Sequence, residues 1–186
     1  RETISATADK YRTYIKLKDY GLTQPKTVLV PNEDSLEIAV NDLDTKFPII
    51  MKTLRGSKGV GVLFIESEIA LSSIVQLMYK TDLNTDLLIQ EYIKTDFDVR
   101  AIVLDGQVIA TMQREVIEGD FRSNFSLGSK VKSYKLTELE IEQVLLAAKA
   151  LGGILSAVDF IASKNPQKIP PYILEINSSP GTEGDR

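Results

Sequence analysis

Neither cysteine nor histidine occurs among the 186 residues of the chain. Their absence removes Ser-His-Asp and Cys-His nucleophilic machinery, zinc sites built on thiolate or imidazole, and histidine as a general base. Any chemistry must rest on carboxylates, lysine, arginine, hydroxyls, backbone amides and a hard metal ion. No apolar run approaches the roughly 20 residues of a membrane span, so no membrane partner is expected. Positive charge is also in short supply: 22 Lys and Arg against 26 Asp and Glu leave a formal net charge of -4. Direct nucleic-acid binding is therefore not expected, because cationic contacts to phosphate supply most of such affinity. No leader-like pattern is read at the start, and a cytoplasmic location is the default expectation.

What is present looks globular. Hydrophobic content of 43% and charged content of 26% sit near the averages for soluble domains, and a chain this long can bury roughly 70% of its unfolded surface. The sequence runs from Arg1, not Met, to Asp185 and Arg186 directly after a loop-like stretch, which reads as a fragment or processed segment.

The apolar spacing predicts a helix from about Thr7 to Tyr20, with Ser5 as N-cap, Tyr11, Tyr14 and Ile15 at helical intervals and Gly21 as its stop. A strand is expected over Lys26 to Val30, a helix over Asp34 to Leu43, and a strand over Phe47 to Leu54 that enters a glycine-rich hairpin ending at Ile65. Ser67 opens a helix to about Tyr79, and Leu87 to Tyr92 is a buried strand. Phe97 to Leu104 and Gln107 to Val116 flank Asp105-Gly106, a hairpin signal. Glu118 to Lys130 forms a long polar loop, and Thr137 with Glu140 caps a helix to Leu151 closed by Gly152. Strands follow at Ile154 to Ala162 and Tyr172 to Asn177. This order of helices and hairpins points to an α+β fold and disfavours a Rossmann-type parallel sheet.

The chemistry-bearing residues fall at a few places. Gly56, Gly59 and Gly61, with Ser57 and Lys58 between them, let backbone approach a ligand and can form an anion-binding concavity, though a flexible turn would look the same. The order is not a Walker A. Lys52 follows Ile49, Ile50 and Met51 in a strand, where a buried ammonium needs a partner such as phosphate, or else its stem carries the charge out to water. Glu175 and Asn177 stand two apart in a strand and so project from one face. With Asp159, set among Ala157, Val158, Phe160 and Ile161, they offer hard oxygen donors suited to Mg²⁺, unless each merely faces solvent.

Asp98 and Arg100 repeat the two-residue spacing, and Arg114 lies across the hairpin. A two-residue turn puts Arg114 on the face opposite Arg100, whereas a three-residue turn with a glycine bulge brings both arginines to one face. If both act on one substrate, the bulged form is expected.

Taken together, Lys52 with Gly56 to Gly61, Gln90-Glu91-Tyr92-Ile93, Asp98-Val99-Arg100, Asp120-Phe121-Arg122-Ser123-Asn124, Asp159 and Glu175-Ile176-Asn177-Ser178-Ser179-Pro180-Gly181 resemble, in order and over nearly the whole chain, the ATP-grasp core of RimK-type glutamate ligases. The resemblance implies an ATP-grasp fold of two α+β lobes with mainly antiparallel sheets that grip ATP. A leading helix would occupy 1–20, the small lobe 21–93 and the large lobe 94–186. The family's additional N-terminal domain, and the helix usual after Ser-Pro-Gly, are not found in this sequence.

By the same resemblance the nucleotide site comprises Lys52, Gly56, Ser57, Gly59, the hinge Glu91, Tyr92 and Ile93, and Asp98, Arg122, Ser123 and Asn124. Leu174, on the face opposite the metal ligands, would pack on adenine; Asp159, Glu175 and Asn177 would hold Mg²⁺, with Mn²⁺ as an allowed substitute. Arg100 and Arg114 would be the catalytic cations of an acid-amino-acid ligase joining an amine to a carboxylate through an acylphosphate. The expected partners are ATP, an amino acid, above all glutamate, and a carboxylate acceptor that is a peptide, a protein C-terminus or a small molecule; a homo-oligomer is allowed. A glutathione-synthase-like or amino-group-carrier ligase, and an ATP-binding regulatory module without catalysis, are the alternatives.

Overall fold

The computed structural model describes residues 10–54, 61–81, 86–116 and 130–177. Two compact units are distinguished, one formed by Pro25–Ile93 and the other by the chain before and after it. The described part opens with helix α1 (Lys10–Asp19), which belongs to the second unit. Its buried residues are Thr13 and Leu17, not the expected stripe: Ile15 is 38% exposed, and Tyr11 and Tyr14 stack on each other at 6.1 Å. A mostly polar helix needs only one narrow row to dock, and here Thr13 and Leu17 form it, with Leu17 joined in the core by Leu22 just beyond the helix. Gly21, at φ 73°, ends the helix with its amide donating to the Lys18 carbonyl. Ser5 and Thr7, assigned to this helix from sequence, lie outside the described residues.

In the Pro25–Ile93 unit, β1 (Thr27–Val30), β2 (Ile49–Thr53), β3 (Val62–Ile65) and β4 (Leu87–Glu91) form an antiparallel sheet of order β1-β4-β2-β3. Helix α2 (Leu36–Leu43) and helix α3 (Glu68–Thr81) contribute to its core. Alternation decides the faces: Ile49, Met51, Ile65, Leu87, Ile89 and Val30 pack with Ala39 and Leu43 of α2 and Leu71, Val75 and Tyr79 of α3. The α3 residues recur every four positions, one face of a helix, and Ser67 starts it by accepting the Ala70 amide on its hydroxyl. Thr27, Ile50, Lys52, Leu88 and Gln90 consequently share the sheet's other face.

The second unit carries β5 (Phe97–Leu104), β6 (Gln107–Glu115), β7 (Val131–Ser133), helix α4 (Glu138–Leu151), β8 (Leu155–Ile161) and β9 (Tyr172–Asn177). All its strand pairs are antiparallel, in the order β7-β6-β5-β8-β9. The short edge strand β7, whose residues are all exposed, has no apolar alternation and was not expected. Thr137 and Glu140 form the predicted capping box of α4, and Gly152 closes it at φ 68°. Val144, Ala147, Ala148 and Leu151 of α4 pack with Leu17, Val99, Ala101, Val103, Val158, Phe160, Ile173 and Ile176. Burying side chains such as Phe160 or Ile176 contributes roughly 1.5–3 kcal/mol each. The α+β class with antiparallel sheets is thus present as expected. Among the described residues, no helix is long and apolar enough to cross a membrane, which says nothing of β-barrels.

Candidate functional site

The polar face of the larger sheet follows from what its other face buries. Val99, Ala101 and Val103 of β5 and Val158 and Phe160 of β8 point into the helix-packed core, so Asp98, Arg100 and Asp159 must point away from it. Arg100 stands directly opposite Asp159, and Asp98 opposite Arg114 of β6. Both pairs are bidentate. Arg100 donates from Nε and Nη2 to the Asp159 oxygens at 2.7 and 2.6 Å, and Arg114 does the same to Asp98 at 2.7 and 2.6 Å. Arg114 also reaches Asp159 with Nη2 at 3.3 Å, which joins the two pairs into one network.

This network is largely removed from water: Asp98, Arg114 and Asp159 are only 5–6% exposed. Burial alone would raise the Asp159 carboxyl, but Arg114 and Arg100 outweigh it and hold the group below its usual range, and therefore ionised. For Arg114 burial likewise opposes the charge, and Asp159 and Asp98 more than restore it, so its pKa is raised. The Arg100 pKa is raised chiefly by the hydrogen bonds to Asp159. Neither arginine has any route to losing its charge near neutrality.

The arginines share a face, but not through the expected turn. Asp105 and Gly106 form a two-residue turn with φ of 46° and 72°, pairing Leu104 with Gln107 and Val103 with Val108. The register then shifts so that Ile102 pairs with Ala110, leaving Ile109 as an extra residue. The bulge therefore sits in β6 and not at the glycine. A 55% exposed Ile109 carries no core contact that would resist being set aside. From that point Arg114 falls opposite Asp98.

A second irregularity organises β9. Asp159 pairs with Glu175 and Ala157 with Asn177, but Phe160 pairs with Ile173, so Leu174 has no cross-strand partner. The skipped residue lets both Ile173 and Ile176 enter the core while Glu175 and Asn177 stay in step with Asp159. Leu174 was expected on the face opposite Glu175 by unbroken alternation. The bulge cancels that argument: the opposite face is filled by Ile173 and Ile176, and Leu174 is half-buried outside their core.

Whether this set suits a hard cation can be judged from its donors. Asp159 is kept ionised, Glu175 stands across from it, and Asn177 adds an amide oxygen two residues on. All three are oxygen ligands of the kind magnesium takes together with waters and phosphate oxygens. Among the described residues no group of three or more carboxylate, imidazole or thiolate side chains is placed to hold a metal. The set fits only as two carboxylates plus an amide.

In the smaller sheet, Lys52 is half-buried and donates from Nζ to Oε1 of Gln90 at 2.7 Å. Gln90 donates from Nε2 to the Thr27 hydroxyl at 2.6 Å, and that hydroxyl donates to the Pro25 carbonyl at 2.9 Å. In the sequence Gln90 stands out only as part of Gln90-Glu91-Tyr92-Ile93, and Thr27 does not stand out at all. The available signal was an amide closing the apolar run Leu87-Leu88-Ile89. Glu91 pairs with Lys26, its amide donating to the Lys26 carbonyl at 2.8 Å and its carboxylate accepting the Lys26 amide at 3.3 Å. Tyr92 sets its ring edge-on to Phe64 at 5.0 Å, and Ile93 is the last residue of this unit.

The Gly61 carbonyl accepts from the Thr53 amide at 2.9 Å; the residue has φ +77° and would bring a Cβ within 2.2 Å of the Thr53 hydroxyl. Only glycine fits there. Gly56, Ser57 and Gly59, and Arg122, Ser123 and Asn124, lie outside the described residues.

Residues 7–186 match the family description "RimK-like ATP-grasp domain". The chain is 38% identical over 184 residues to a "Probable alpha-L-glutamate ligase" of Coxiella burnetii (strain Dugway 5J108-111), covering 98% of this chain and 59% of that protein. It thus spans about three-fifths of the length of that relative. Among solved structures, the ATP-grasp ligase PsnB, complexed with a phosphomimetic variant of its minimal precursor, Mg and ADP, superposes with a TM-score of 0.74 at 22% identity, covering 97% of this chain and 53% of that one. A D-alanine--D-alanine ligase from Bacillus anthracis gives 0.73 at 20% identity, over 97% and 59%.

Proposed function

Because the chain belongs to the RimK-like ATP-grasp family and has the ATP-grasp fold of its structural neighbours, we propose that it is the catalytic module of an ATP- and magnesium-dependent carboxylate-amine ligase. Its amino-acid substrate is glutamate, and its acceptor is a carboxylate on a peptide, protein or small molecule. The observation that carries this reading is the charged row across β5, β8 and β9, where Arg100, Asp159 and Glu175 stand side by side on the sheet face that the helices leave uncovered.

A carboxylate is a poor electrophile, and transfer of the γ-phosphoryl group of ATP to it gives an acylphosphate that an amine can attack. Negative charge gathers in both steps, and preorganised cations are the way to stabilise it. When bound by Asp159, Glu175 and Asn177, magnesium supplies such charge at phosphate oxygens. Among the described residues, Arg100 commits Nε and Nη2 to Asp159, and Nη1 remains to meet an anionic substrate. Arg114 is buried and donates to both carboxylates. In this reading it holds Asp98 and Asp159 in place and adds its charge beside them. Lys52 contacts the ATP phosphates, and Asp98 with Arg122, Ser123 and Asn124 completes the nucleotide site.

The division into lobes proposed for function follows the family pattern, with 21–93 as small lobe, 94–186 as large lobe and Glu91, Tyr92 and Ile93 as the hinge that meets adenine. Its test is mass spectrometry of acceptors after the full-length protein is incubated with ATP, Mg²⁺ and mixed amino acids, alongside measurement of ADP and phosphate release. Glutamate-dependent mass gain with matching ADP release is expected. ATP binding without acceptor-dependent turnover would instead identify a non-catalytic nucleotide-binding module, and gain of another amino acid would redirect the substrate assignment.

A further inference from the structure

Resting on the assignment of Lys52 to the ATP phosphates, we propose that Gln90 and Thr27 are positioning residues that aim the Lys52 ammonium, and that the Thr27 hydroxyl sets the direction of the aim. The Thr27 hydroxyl has one proton, and it is spent on the Pro25 carbonyl at 2.9 Å. Toward Gln90 it can therefore only accept, which it does at 2.6 Å from Nε2. That bond fixes which way the amide points. Its oxygen, at the other end, must face Lys52, where it accepts from Nζ at 2.7 Å.

Gln90 and Thr27 are both buried, at 8% and 6% exposure, and they stand directly opposite each other in β4 and β1. Water competes weakly for these bonds, so the relay is stiffer than the same contacts would be at a surface. A flexible four-carbon stem is thereby given one preferred end position. An amide suits this task in a way a carboxylate would not. It turns the ammonium by a dipole and adds no countercharge of its own. Glutamate at the same position would also present an oxygen to a hydroxyl whose proton is already engaged.

The test measures binding of ATP with Mg²⁺ and of adenosine, which lacks phosphates, by calorimetry and by competition, in the wild-type chain and in Thr27→Val, Thr27→Ser and Gln90→Glu. Loss of the hydroxyl frees the amide to rotate and offer N–H to the ammonium. Thr27→Val should therefore weaken ATP binding about tenfold, as expected for losing one charge-assisted hydrogen bond, and leave adenosine affinity unchanged. Thr27→Ser should recover most of the loss. Gln90→Glu should weaken ATP similarly, and it decides the matter should Thr27→Val fail to fold. Wild-type ATP affinity in Thr27→Val or Gln90→Glu, or equal losses for ATP and adenosine, overturns the proposal while leaving the nucleotide site standing. Failure of the wild-type chain to bind ATP overturns both.

Discussion

The two sheets solve the same problem with different means. Each covers one face with helices and presents polar side chains on the other, but the larger sheet neutralises its charges in pairs, whereas the smaller one turns Lys52 with a neutral amide. Buried opposite charges hold each other through strong, geometrically demanding bonds, so their loss should be felt first in stability. A cation oriented by a dipole leaves the fold nearly indifferent, and its loss should be felt in ligand binding.

The sharpest way to break this comparison is Asp98→Ala, which strands Arg114 in a buried site. Losing one partner of a buried pair costs about 3–5 kcal/mol. Because Asp159 remains at 3.3 Å, the lower end of that range is expected in urea denaturation. Replacing both partners with Asp98→Leu and Arg114→Met should recover much of it. A single-variant cost below about 1 kcal/mol would show that the pair behaves as a surface contact and would erase the contrast between the sheets.

Glu175→Gln separates function from stability within the larger sheet. It keeps size and hydrogen-bonding capacity but removes a charge from the proposed metal set, so turnover should fall at least about 100-fold, equivalent to about 2.7 kcal/mol. The melting temperature should hardly move. Unchanged turnover, with Asp159→Asn also active, would remove the metal assignment.

In the smaller sheet, Gly61→Ala forces a Cβ to within 2.2 Å of Thr53 at positive φ. About 1–3 kcal/mol of destabilisation is expected, read by thermal melting. A near-neutral result would show that the turn entering β3 has slack.

The smallest effect concerns the helix side of the larger sheet. Burial, reinforced by the hydrogen bond to Glu140, pushes the Tyr134 hydroxyl well above its ordinary pKa of 10.0. A group whose folded pKa is raised stabilises the fold fully below its unfolded pKa and loses that contribution as pH rises. Melting temperature should therefore decline above about pH 10 in the wild type and decline less in Tyr134→Phe. Parallel curves would show that Tyr134 ionises equally in both states.

Much of the fold was legible because local rules sufficed. The Thr137 and Glu140 capping box, the Asp105-Gly106 turn and the stop at Gly21 each depend on a few adjacent residues. Alternation likewise put Asp98 with Arg100 and Glu175 with Asn177. What failed needed knowledge of neighbours. Strand β7 has no periodic signature and exists because β6 offers an edge. Helix α1 buries Thr13 and Leu17 because the partner surface, not its own composition, selects the row. The bulges at Ile109 and Leu174 arise from matching one strand's core residues to another's, which no single segment encodes.

By itself, the sequence determined the chemistry available to this chain. Without histidine or cysteine it was confined to carboxylates, arginines, lysine and a hard cation, and the spacing of those residues along strands decided which could share a face. The tertiary structure alone decided who meets whom: Arg114 with Asp98, Arg100 with Asp159, Glu175 beside them, and Lys52 held by Gln90. The reason is that side-chain identity and alternation are local, while register across strands is set by packing of cores assembled from distant segments.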